Sequence, residues 1–225
     1  MVRQRLWLAL ALGCCLLFSL VRASSQTNPA VEEWNASFEG SSLDATKWER
    51  FSFEGANGGT FKVEGGELRM RSVSGSRSGV RSKQKFTGDH FIVEATVAKV
   101  GAALPEAGGS GLTPGDANLT ILFDDSGRNR VEWIYTSEGT FEAWAVVNGQ
   151  GERLDNRKLA TKIRNPTIGI VRRGDDFLFM LNGQMGLQKT VRNLPHDFWL
   201  MLYGYGSSEN NWSSTRVVTT KPARP

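Results

Sequence analysis

Apolar and polar residues alternate at period two along most of the chain beyond residue 60, and helical periodicity is nearly absent. The alternation predicts thirteen strands, at 60–63, 67–72, 79–82, 89–100, 117–124, 130–136, 140–147, 158–159, 167–173, 176–181, 185–189, 198–205 and 215–219. Turn residues punctuate the runs: Glu64-Gly65-Gly66, Asp125-Ser126-Gly127, Asn148-Gly149, Gly174-Asp175 and Asn182-Gly183 each supply residues that tolerate positive φ in a tight hairpin. Many short strands joined in this way predict an all-β antiparallel sandwich, and a jelly roll satisfies the count. The stretch 101–116, dominated by Gly, Ala and Pro, is longer than an ordinary connection and reads as a functional or mobile loop.

The N-terminus changes how composition is read. Arg3 and Arg5 precede an apolar run over 6–21, and Val21-Arg22-Ala23 offers a small-residue cleavage site, so 1–23 reads as a signal peptide and the protein as secreted or extracytoplasmic. The run falls short of the ~20 apolar residues that span a bilayer, so no integral membrane span is expected in the mature chain. Gly13-Cys14 keeps a lipid-anchor reading open as a minor alternative. Cys14 and Cys15 both lie in this segment, so cleavage after Ala23 removes every thiol, and with them disulfides and thiolate chemistry. Arg3, Arg5 and Arg22 leave too, which reduces 27 basic residues to 24 against 23 acidic ones. A nearly neutral chain without a basic run has no electrostatic footprint for nucleic acid. The remainder divides into a polar tether over 24–33, one domain over 34–219 and a tail over 220–225.

Several segments, in order, resemble pieces of the concanavalin A-like lectin/glucanase superfamily, in particular its laminin-G-like and uncharacterised secreted branches. They are Phe38 to Trp48, with a Phe and a Trp bracketing a turn; the hairpin Val63-Glu64-Gly65-Gly66-Glu67-Leu68; the core run Phe91 to Val97; the acidic turn Asp124-Asp125-Ser126-Gly127 between apolar strands; and Ile168 to Gly183, reading IGIVRRGDDFLFMLNG. The resemblance covers most of 35–219 and implies the concanavalin A-like jelly roll. It fixes function less well, since one fold hosts lectins, hydrolases and silent scaffolds.

Glucanases of that superfamily resemble one another through Glu-x-Asp-x-x-Glu on one strand, and no such run is present. Alternation offers instead Glu94, Glu132 and Glu142, each on its own strand and each facing away from apolar neighbours, with Arg130 and Arg172 as companions for the same face. Trp144 shares parity with Glu142 and so faces outward, where a ring beside a carboxylate suits a pyranose; Trp212, among polar residues at 207–213, reads as a loop aromatic. Asp124 and Asp125 are the weak candidates for calcium, although they lack a closely spaced ligand loop. His90 and His196 are expected at the surface, and Asn35, Asn118 and Asn211 head acceptor sequons.

The leading expectation is a secreted non-catalytic carbohydrate-binding or adhesion module. It would hold a polysaccharide or glycoconjugate on the concave face through Arg130, Glu132, Glu142, Trp144 and Trp212. The alternatives are a glycan-active hydrolase or lyase using a pair among Glu94, Glu132 and Glu142, and a structural domain without a ligand.

Overall fold

The computed structural model describes residues 31–53, 55, 58–73, 76–101, 115–205 and 208–220. The signal peptide, Cys14, Cys15, most of the 101–116 loop and the tail 221–225 lie outside the described residues. Sixteen strands are found among the described residues. In chain order they are β1 Val31–Ser37, β2 Trp48–Ser52, β3 Thr60–Glu64, β4 Glu67–Arg71, β5 Ser78–Ser82, β6 Phe86–Thr87, β7 His90–Val100 and β8 Asp116–Leu122. They continue as β9 Arg130–Thr136, β10 Thr140–Val147, β11 Gln150–Lys158, β12 Thr167–Arg173, β13 Asp176–Leu181, β14 Gln184–Thr190, β15 Asp197–Tyr203 and β16 Glu209–Thr220.

The strands form two antiparallel sheets packed face to face. One runs β14-β13-β12-β7-β16-β4-β3, with β1 also on β16; the other runs β11-β10-β9-β8-β15-β5-β2, with β6 on β15. Their inner faces carry the apolar half of each alternating strand. Trp133 stacks on Phe141 at 4.9 Å and meets Phe179 of the opposite sheet at 5.3 Å, while Phe91 and Phe198 close the gap further along at 4.1 Å. Each buried ring contributes about 1.5–3 kcal/mol. The Trp133 indole also donates to the Met180 carbonyl at 2.9 Å, tying one sheet to the other. The Asn148-Gly149 and Asn182-Gly183 hairpins have positive φ at both residues, the twist that two-residue antiparallel turns require. Among the described residues no helix is long and apolar enough to cross a membrane.

Three strands, β1, β2 and β6, escaped the alternation, and two others were misread for identifiable reasons. Gln150–Lys158 is a polar edge strand whose residues are nearly all exposed or half-buried, so only its last residue, at 158, stood out. Glu209–Thr220 was read as a strand only from 215, because the register shifts around Trp212 break the period and Asn210, Asn211 and Trp212 all turn out buried. The tether expected over 24–33 ends earlier, since Val31, Glu32 and Glu33 already pair with Thr220, Thr219 and Val218. Asp116, placed in the loop by its Gly- and Pro-rich neighbours, opens β8.

Candidate active-site groove

The outer face of the second sheet carries the polar half of β8, β9, β10 and β15. Pairing fixes the rows: Trp144 lies opposite Glu132 and Glu132 opposite Thr120, while Glu142 lies opposite Ile134, Ile134 opposite Asn118, and Asn118 opposite Tyr203. Glu132 and Glu142 are thus diagonal neighbours on adjacent strands, a relation that spaces side chains by about 7–8 Å. They line a groove of about 290 Å³ together with Asp116, Trp144, Tyr203 and Tyr205. It continues into a depression of about 470 Å³ that shares Asp116, Ile134 and Glu142.

Glu132 is 4% exposed, yet its charge is answered. Its Oε1 accepts from Arg130 Nε at 2.8 Å and from the Tyr203 hydroxyl at 2.5 Å, whereas Oε2 accepts no hydrogen bond among the described residues. Arg130 is itself buried, donating to the Gly127 carbonyl and lying 4.9 Å from the Phe53 ring. Burial, and then the neighbouring Glu132 charge, push the Tyr203 phenol well above its usual range, so it remains a hydroxyl donor. Glu142 is half-buried, and one of its oxygens accepts from the Trp144 indole at 3.0 Å. This bond stands the half-buried Trp144 ring beside the carboxylate pair, in the place alternation predicted for it.

Asp116 was missed as a site residue. Burial pushes its carboxyl up to about 7, with the Glu132 charge adding to the rise and hydrogen bonds from the Tyr205 amide and Ser208 pulling against it. Parity along Ala117-Asn118-Leu119 would have set it on the polar face; only its assignment to a loop hid it.

Several expected members of the site lie elsewhere. Glu94 sits on the other sheet, on β7, where its carboxylate meets Arg216 at 3.4 Å, so two carboxylates of the expected three share a face. Arg172 does not join that face either: it points into the sandwich, 2% exposed, and donates to the carbonyls of Gly174, Leu194 and Pro195. Trp212 is a core residue with no exposed surface, its indole bonded to Asn210 Oδ1 at 2.7 Å, which removes it as a sugar contact. Asp124 accepts from Ser126 Oγ, Arg128 N and Asn129 Nδ2 at 2.6, 3.1 and 2.8 Å, and Asp125 pairs with Arg81; both order a hairpin turn. Of the sequon asparagines, Asn118 and Asn211 are buried, whereas Asn35 is exposed, as are His90 and His196.

No family model and no curated protein sequence matches the chain. Solved structures do. An endo-β-1,3-glucanase from Pyrococcus furiosus superposes with a TM-score of 0.61 at 14% identity, covering 83% of this chain and 93% of that one. A non-specific endo-β-1,3(4)-glucanase of family GH16 gives 0.63 at 11% identity, covering 87% and 97%. The β-glucanase of Bacillus licheniformis gives 0.57 at 13%, covering 84% and 98%. The protein therefore has the concanavalin A-like jelly-roll fold, as the sequence resemblance implied. These same neighbours correct the leading functional expectation. They are polysaccharide hydrolases, which moves the reading from a non-catalytic module to its glycan-active alternative.

Proposed function

We propose that the protein is a glycan hydrolase that binds a polysaccharide along the outer groove of the second sheet and cleaves it with Glu132 and Glu142. The observation that carries this reading is the diagonal placement of the two carboxylates, with Trp144 bonded to one and facing the other. Glycosidase carboxyl pairs stand roughly 5–9.5 Å apart, a range that includes the diagonal spacing. Glu132 is the base or nucleophile: the Arg130 guanidinium and the Tyr203 hydroxyl hold its Oε1, and Oε2, which accepts no hydrogen bond among the described residues, is the atom offered to water or the anomeric carbon. Glu142 is its partner at the leaving oxygen, and Trp144 is the platform for a sugar ring.

The pair departs from the Glu-x-Asp-x-x-Glu arrangement, since its members come from two strands. β-linked glucans are the substrate class, drawn from the glucanases that share the fold. The signal-like segment over 1–23 supports an extracytoplasmic location, where such polymers are met.

A screen for new reducing ends tests this reading on β-1,3-glucan, mixed-linkage β-1,3-1,4-glucan and mucin O-glycans. Release from a glucan supports it, and release from mucin alone would replace the substrate class. If no polymer in the screen is cut, the proposal is withdrawn.

A further inference from the structure

Beyond β15, Gly204, Tyr205 and Ser208 are each tied to the sandwich, although Tyr205 carries an exposed ring. Gly204 is pressed against it, where a Cβ would lie 2.3 Å from Asn210 Nδ2 and 2.6 Å from Ser72 Oγ. The Tyr205 amide then donates to Asp116 Oδ1 at 2.6 Å. Ser208, fully buried, donates its hydroxyl to the Tyr205 carbonyl at 2.5 Å and accepts the Asp116 amide at 3.1 Å. The Ser208 carbonyl in turn accepts from Ser72 N at 3.0 Å. Asp116 thus bonds to both Tyr205 and Ser208, by side chain to the one and by backbone to the other. What these bonds present is the Tyr205 ring, 48% exposed, at the edge of the groove that also holds Trp144, with the Arg77 guanidinium 5.1 Å from the ring centre.

We propose that Asp116 is a positioning residue, which latches Tyr205 and Ser208 so that Tyr205 forms a second aromatic wall of the groove and takes a neutral pyranose ring of the bound glycan. The ligand half of the proposal rests on the hydrolase reading; the latch does not. A backbone amide already fixed by a buried acceptor leaves the ring little freedom to lose on binding, which is how an aromatic contact gains affinity without a large interface. Asparagine at 116 keeps an acceptor oxygen for the Tyr205 amide, whereas alanine removes it. That difference separates positioning from mere bulk.

Two measurements on the full chain test the proposal. In hydrogen exchange, the Tyr205 amide is protected in the wild type; Asp116→Ala accelerates it by roughly 10–100-fold, the cost of leaving that donor without its acceptor, and Asp116→Asn restores most of the protection. Unchanged exchange in Asp116→Ala overturns the latch. In calorimetry on a Glu132→Gln background, Tyr205→Ala weakens binding of a β-1,3-linked glucose hexasaccharide by roughly 3–10-fold. With Glu132 restored, it raises KM and leaves kcat near the wild-type value. Unchanged affinity in Tyr205→Ala, in a protein whose Trp144→Ala variant does lose affinity, overturns the wall. Should the wild type neither bind nor cleave a glucan, the hydrolase reading and the wall fall together, and exchange still decides the latch.

Discussion

Replacing Asp116 by asparagine should stabilise the protein, and increasingly so as pH rises. The carboxyl is pushed from 3.8 to about 7 in the fold, so the folded state favours the neutral form and must ionise it against burial and the Glu132 charge. The sign follows from linkage. Below the unfolded value the group costs nothing; between there and about 7 the unfolded chain releases its proton while the folded chain keeps it, so stability falls as pH rises and then levels off. A shift of that size corresponds to a ceiling of about 4 kcal/mol at alkaline pH, lowered by the water that reaches this half-buried residue from the groove mouth. Between pH 5 and pH 8 the advantage of Asp116→Asn should grow by up to about 3 kcal/mol. For a domain of this size that is a widening Tm gap of up to roughly 6–12 °C. Urea or thermal unfolding followed by tryptophan fluorescence at both pH values measures it, and the difference between the two proteins cancels the titrating groups that do not interact with Asp116. A gap that stays constant or narrows between pH 5 and pH 8 would show that the fold does not hold Asp116 in its neutral form.

Two further outcomes follow from named contacts. Arg130→Met leaves the buried Glu132 without its cation and should cost about 3–5 kcal/mol in urea unfolding, much of it recovered in the double variant Arg130→Met/Glu132→Gln, where neither charge of the pair remains. Trp212→Ala should cost about 3–5 kcal/mol of stability because the ring is fully buried, with no change in glycan affinity at a temperature where the variant is folded; weaker binding would restore the ring to the site.

The fold was largely legible because most strands keep a strict alternation. Arg130–Thr136, Thr140–Val147, Thr167–Arg173 and Asp176–Leu181 have the bounds their patterns predict. Legibility failed where the pattern meets a second constraint. Edge strand Gln150–Lys158 has almost no buried face to mark it, and around Trp212 a register irregularity mixes the buried and exposed sets. The same limits apply to the site. Glu132, Glu142 and Trp144 were placed on one face by parity alone, a local property. Separating Glu94 from them required knowing which strands share a sheet, which β7 and β9 do not, and no local pattern carries that information. Asp116 was hidden for a different reason, since the Gly- and Pro-rich run before it reads as loop, while its role comes from Tyr205, contributed by a distant part of the chain.

Glu132 and Glu142 should act together on a bound glycan. A time course of reducing-end release from β-1,3- and mixed-linkage β-glucan by the wild type, Glu132→Gln and Glu142→Gln, with hexasaccharide affinity measured on the same preparations, decides whether they do. Steady release by the wild type is expected, with a loss of about 10²–10⁴-fold in each variant and affinity within a few-fold of wild type in both. Release that survives Glu132→Gln, or a wild type that binds the glucan without cutting it, would rule out catalysis by this carboxylate pair.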